Sequence, residues 1–129
     1  MKMEKLTGVI VRPRTGLEVV RFEPKLEWYY ENLECEYIDI QERWIGGNLY
    51  DIVCDDEGLL KEEVIPSACD STGQAVFCGN LLICHHDGEG NETGLTEEEV
   101  NELLCRHYAT APFNGETIHL LADVEYTRG

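Results

Sequence analysis

Apolar residues in this chain come in short runs, and proline, glycine or a cluster of Asp and Asn closely follows many of them. That pattern dictates strands joined by turns, because a buried helix needs a longer apolar period and a bilayer span needs about 20 apolar residues. Gly8 to Arg12 reads as a strand stopped by Pro13, and Arg12-Pro13-Arg14-Thr15-Gly16 turns it into a second strand, Leu17 to Phe22. Tyr37 to Gln41 and Leu49 to Cys54 read as two more, with the turn Ile45-Gly46-Gly47-Asn48 between them and Asp55-Asp56-Glu57-Gly58 after the second. Ile65-Pro66-Ser67 breaks the chain, and Asp70-Ser71-Thr72-Gly73 is a loop. Ala75 to Cys84, the most apolar stretch, reads as one buried strand that spans Gly79-Asn80, and a second acidic turn, Asp87 to Asn91, follows it. Thr117 to Tyr126 is the last strand, with Ile118, Leu120, Ala122, Val124 and Tyr126 on one side.

Two segments carry a helical period instead. Pro24 opens the first, in which Leu26, Tyr29, Tyr30 and Leu33 share one face. Thr96-Glu97-Glu98-Glu99 opens the second as a capping box, with Leu95 and Val100 placed as a hydrophobic staple. Three glutamates in its first turn complement the helix dipole, and Val100, Leu103, Leu104 and Tyr108 supply its buried face. The order β-β-α-β-β-loop-β-α-β lacks the alternation of a doubly wound sheet. It predicts a single α+β domain over residues 1–129, a mainly antiparallel sheet with two helices packed on one face.

Charge narrows the partners. The 129 residues carry a formal charge of −16. Residues 1–43 hold 7 basic and 9 acidic side chains, residues 106–129 hold 2 and 3, and residues 44–105 hold one basic side chain, Lys61, against 14 acidic ones. Such a chain is a poor direct binder of nucleic-acid phosphates and is repelled by anionic membranes. Most of the central acids fall into three groups: Asp51-Asp55-Asp56-Glu57, Glu62-Glu63, and Glu89-Glu92-Glu97-Glu98-Glu99-Glu102. One reading is a solubilising face; the other is a surface that meets a basic, nucleic-acid-binding protein. The second reading assigns Asp55, Asp56, Glu57, Glu89, Glu92, Glu97, Glu98 and Glu102 to that contact. Met1 to Arg14 holds only Gly8-Val9-Ile10-Val11 between charges, so no signal peptide is read and a cytoplasmic location is expected.

The six cysteines, Cys35, Cys54, Cys69, Cys78, Cys84 and Cys105, show no C-x-x-C spacing. In apolar surroundings they behave as small hydrophobes. A second reading is a structural zinc: Cys84 and His86 share one face of a strand, and Cys54 or Cys69 can supply further sulfur. Cys105-Arg106-His107 and Cys84-His85 make no thiolate–imidazole pair, and no P-loop, dinucleotide, zinc-protease or nucleophile-elbow motif is present. The chain is therefore not expected to be an enzyme, with a small thiol- or metal-dependent enzyme as the remaining alternative.

Five cues, in order, carry a resemblance: Tyr37-Ile38-Asp39-Ile40, Asp51-Ile52-Val53-Cys54-Asp55-Asp56-Glu57-Gly58, Ile65-Pro66, Cys78-Gly79-Asn80-Leu81-Leu82-Ile83, and Leu95-Thr96-Glu97-Glu98. Over residues 8–108 the chain resembles a family of small domains of unknown function found in bacteriophages and other bacterial mobile elements. It departs from that family at Ser67-Ala68-Cys69, where the family tends to have an Asn-Arg pair. The resemblance brings no catalytic residues. It implies a setting in which small acidic proteins disarm host defences, and so an inhibitor of a nucleic-acid-processing defence enzyme, most concretely a CRISPR nuclease. The alternative is a zinc-stabilised structural or regulatory domain held by Cys54, Cys69, Cys84 and His86.

Overall fold

The computed structural model describes residues 5–57 and 64–127. Gly58, Lys61 and the Glu62-Glu63 pair lie outside them. Along the chain run β1 (Leu6–Arg12), β2 (Gly16–Phe22), α1 (Leu26–Leu33), β3 (Ile38–Ile45), β4 (Asn48–Asp55), β5 (Pro66–Cys69), β6 (Ala75–Cys78), β7 (Leu81–His86), β8 (Glu92–Thr93), α2 (Glu97–Arg106), β9 (Tyr108–Phe113), β10 (Glu116–Leu121) and β11 (Val124–Glu125). They form two sheets, ordered β11-β3-β4-β7-β1-β2, with β8 added to β7, and β6-β5-β10-β9. Every pairing is antiparallel except β5 with β10. The chain is one small, mainly antiparallel α+β domain. No helix among the described residues is long and apolar enough to cross a membrane.

The hairpins follow from turn chemistry. Gly46 and Gly47 both take positive φ, 59° and 91°, as a two-residue turn matched to strand twist requires. That turn sets the β3–β4 register from Ile45↔Asn48 to Ile38↔Asp55. The α2 capping box forms as the sequence dictates: Glu99 N–H donates to Thr96 Oγ1 at 3.1 Å and Thr96 N–H donates to Glu99 Oε1 at 2.9 Å. The staple residues Leu95 and Val100 are both buried.

Several expected elements differ. The run Ala75 to Cys84 is two strands in different sheets, because Gly79 takes φ 78° and turns the chain between β6 and β7. Ile65-Pro66-Ser67 is not a plain break: Pro66 is the first residue of β5, where its missing N–H costs no internal ladder bond. Pro24 precedes the N-cap, Lys25, rather than entering α1. Tyr108 leaves α2 and begins β9. Thr117 to Tyr126 splits at Asp123, φ 62°, into β10 and β11.

The two helices do not share a face. Strand residues alternate sides, so Val9, Val11, Leu81 and Ile83 join a core with α2 residues Val100 and Leu103 and with Ala68, Phe77 and Leu121 of the second sheet. Ile10, Leu82 and Cys84 join the other core, with Tyr29 and Leu33 of α1. One face of the large sheet is thus packed against α2 and the second sheet, and among the described residues the other is covered by α1.

Candidate functional site

β7 ends in Cys84-His85-His86, and strand alternation sends these side chains to opposite sides. His85 faces α2. Its ring stacks on Tyr50 with centroids 5.1 Å apart, and its Nε2 lies 2.6 Å from Glu99 Oε2. Burial alone pushes the Glu99 carboxyl up, but the cap bonds to Thr96 and the bond to His85 outweigh it and leave it below the usual carboxylate range. His86 faces the α1 side. Its Nδ1 lies 2.7 Å from Asp51 Oδ2, and that bond, with the Asp51 charge behind it, holds the His86 pKa above its ordinary value.

Asp51 and His86 are joined there by Glu42, and one ligand atom from each of the three lies within 4.8 Å of the others. The geometry comes from the sheet. Glu42 is the direct cross-strand partner of Asp51, and Asp51 is the partner of Cys84, two residues before His86. Glu42 stands four residues before Gly46 and Asp51 four after Gly47, so a two-residue turn makes them neighbours. That spacing is visible in the sequence, and it is the signal by which this group could have been found.

The expected zinc ligands do not converge. Cys84 and His86 share a face, as strand alternation requires, but Cys54 lies in the opposite core cluster, beside Leu81 and Ile83. Cys69 ends β5 in the second sheet, near Asp123 and Asp70. Burial pushes the Cys54 thiol up to about 12, with Asp39, Asp55 and Asp56 adding to it, and pushes the Cys84 thiol higher still. All six cysteines are free.

The expected acidic contact residues split between two ends of the large sheet. Asp55 ends β4 and is followed by Asp56 and Glu57. β7 runs antiparallel to β4, so Asp87, Glu89 and Glu92 lie beyond the other end. β4 is eight residues long, which separates the two ends by roughly 23 Å at strand rise. Leu95 N–H donates to Thr7 O at 2.8 Å and sets the start of α2 at that same second end. Glu89, Glu97 and Glu98 are exposed there, Glu92 is half-buried, and Glu102 accepts from Asn48 Nδ2 at 3.3 Å. A single patch of all eight acids is therefore not formed: five gather at one end and three at the other.

Other polar pairs are structural in their settings. His107 Nδ1 lies 3.0 Å from Asp123 Oδ2. Arg43 is clamped between Phe77 and Tyr126, its guanidinium 5.3 Å and 3.8 Å from the two ring centres. It follows Glu42 on β3 and so projects from the opposite face.

No curated protein and no solved structure matches the chain. The model of the family DUF3846, described as a domain of unknown function, matches residues 5–108, from the start of β1 through α2. The match takes in every strand that builds the Glu42–Asp51–His86 group and both acidic ends. The chain belongs to the DUF3846 family.

Proposed function

We propose that the protein is a binding module that docks without covalent chemistry on a cationic protein cleft, through the end of the large sheet where Glu89, Glu92, Glu97 and Glu98 gather. The occupant of that end is a nucleic-acid-processing enzyme whose Lys/Arg groove is built for phosphates. Most concretely it is a CRISPR nuclease or another defence enzyme of a bacterial host, with the module encoded by a phage or mobile element and working in the host cytoplasm. The observation that carries this reading is the grouping at one end of exposed Glu89, Glu97 and Glu98 with half-buried Glu92. Glu89 stands on a turn pinned by Asp87 Oδ1, which accepts from the N–H groups of Glu89 at 2.8 Å and Asn91 at 3.0 Å. Glu97 and Glu98 project from the first turn of a capped helix. Carboxylates held on rigid backbone steer a cationic partner with no further backbone to order.

A pull-down from bacterial lysate containing CRISPR nucleases and restriction enzymes, run at low and high salt, tests it. Capture is expected at low salt and lost at high salt, since exposed charge pairs are screened. Against the captured enzyme, the triple change Glu89→Lys, Glu97→Lys and Glu98→Lys should slow association about tenfold and change release much less. Unchanged association overturns the assignment of this end as the contact.

A further inference from the structure

We infer that Glu42, Asp51 and His86 form a binding site for one divalent cation of the first transition row, of the Zn2+ or Mn2+ class. Three adjacent strands, β3, β4 and β7, each supply one ligand residue, and their ligand atoms already lie within 4.8 Å of one another. Small side-chain rotations bring them onto a common ion. The site sits on hydrogen-bonded sheet rather than on loops, which is where a ligand set is held most precisely.

Charge argues for a cation independently of the ligand geometry. Glu42 and Asp51 stand directly opposite each other, an arrangement in which like charges destabilise a sheet. The Asp51 side chain is only 5% exposed, so water does little to screen it. Among the described residues no Lys or Arg side chain forms an ion pair with either carboxylate, and Arg43, next in sequence to Glu42, is held between two rings on the other face. Glu92, opposite His86 on β8, adds negative charge beside the group. His86 faces both carboxylates, with its own side chain 42% exposed.

The donor set selects the ion. Two carboxylate oxygens and one imidazole nitrogen suit Zn2+ and Mn2+, whereas a purely oxygen set would favour Mg2+ or Ca2+ and a sulfur set Cu+. The Cys84 thiol is fully buried in the core with Tyr29 and Leu33 and is not among the three grouped ligand residues. Asp87 is committed to its turn. The exposed side of Glu42 and His86 leaves the remaining coordination positions to water. This site borders the docking end proposed above, at Glu92, but none of its three ligand residues is assigned to docking and it does not depend on that reading.

Mn2+ titration followed by electron paramagnetic resonance tests the inference, because Mn2+ avoids thiols; a parallel Zn2+ titration uses Cys105→Ser protein to remove the exposed sulfur. One saturable ion per chain is expected for either metal. At a hundredfold excess of free metal over Kd, Tm should rise by roughly 10 °C. Glu42→Gln and His86→Gln, both at exposed positions, should each weaken binding about tenfold or more, and Asp51→Asn should abolish it. Cys84→Ala should leave it unchanged. The absence of saturable binding overturns the site. So does equal affinity in Glu42→Gln, His86→Gln and the parent, as a diffusely acidic surface would give, or Zn2+ binding lost only when a cysteine is replaced.

Discussion

His85 and His86 are neighbours in sequence and both bond a carboxylate, yet they live on different proteins in effect. On the His85 side, α2, the second sheet and Tyr50 close over the strand, and the His85–Glu99 bond ties the helix cap to the sheet. On the His86 side, α1 covers β1, β7 and part of β4, while Ile40 and Leu49 stay exposed beyond it and the Glu42–Asp51–His86 group lies open at its margin. The difference teaches that one strand can serve stability with one set of residues and chemistry with the next.

Leu103→Ala should break the sealed face hardest. Leu103 is fully buried among strands of both sheets, and its truncation should cost about 3 kcal/mol in urea unfolding. Removing the cap comes next: Thr96→Ala should cost about 1 kcal/mol, since it leaves an N–H of the first turn without its acceptor. On the open face, Ile40→Ala, at a position 44% exposed, should stay within about 0.5 kcal/mol. A loss there as large as at Leu103 would show that a partner or second copy covers the open face in solution.

Acid sharpens the same comparison. The folded Glu99 carboxyl lies below its unfolded value, so the stability it contributes is fully present above the ordinary glutamate range and is lost as pH falls through its lowered folded value. Asp70 and Asp87 carry turn hydrogen bonds that lower them in the same sense. Unfolding midpoints measured from neutral pH down to pH 3 should therefore fall, and Glu99→Gln should flatten part of that fall. The smallest effect concerns the thiols. Cys105 is exposed and should be alkylated first in the native state, while buried Cys54 and Cys84, with raised pKa values, should react only after unfolding. Mass spectrometry of the labelled protein checks the order.

Local chemistry in the sequence carried as far as local chemistry reaches. Thr96 and Glu99 declare α2, Pro13 and Gly16 declare the first hairpin, and Cys84 and His86 share a face as alternation demands. What could not be read was which layer each strand joins. Nothing in Ala75 to Cys84 says that the residues before Gly79 belong to one sheet and those after it to another; that choice is made by burial against distant strands. The same non-local choice sent α1 and α2 to opposite sides and carried Cys54 away from Cys84. It also divided the acids, which sequence proximity alone had grouped. The Glu42–Asp51 pairing is available from the length of the Gly46-Gly47 turn, but His86 joins them from β7, and no local signal places that strand beside β4.

The chain passes between the two sheets again and again: from β4 to β5, from β6 to β7, from β8 through α2 to β9, and from β10 to β11. Neither layer is a contiguous stretch that can collapse on its own. β5 waits for β10, which is made some fifty residues later, and α2 packs on both layers at once. Assembly of such an interleaved topology must close long loops before it gains its contacts, so folding should be slow for a chain of this size, yet all-or-none. Cutting the chain after α2 would leave β5 with a bare edge and expose Leu103, although nearly every residue that defines the family would still be present.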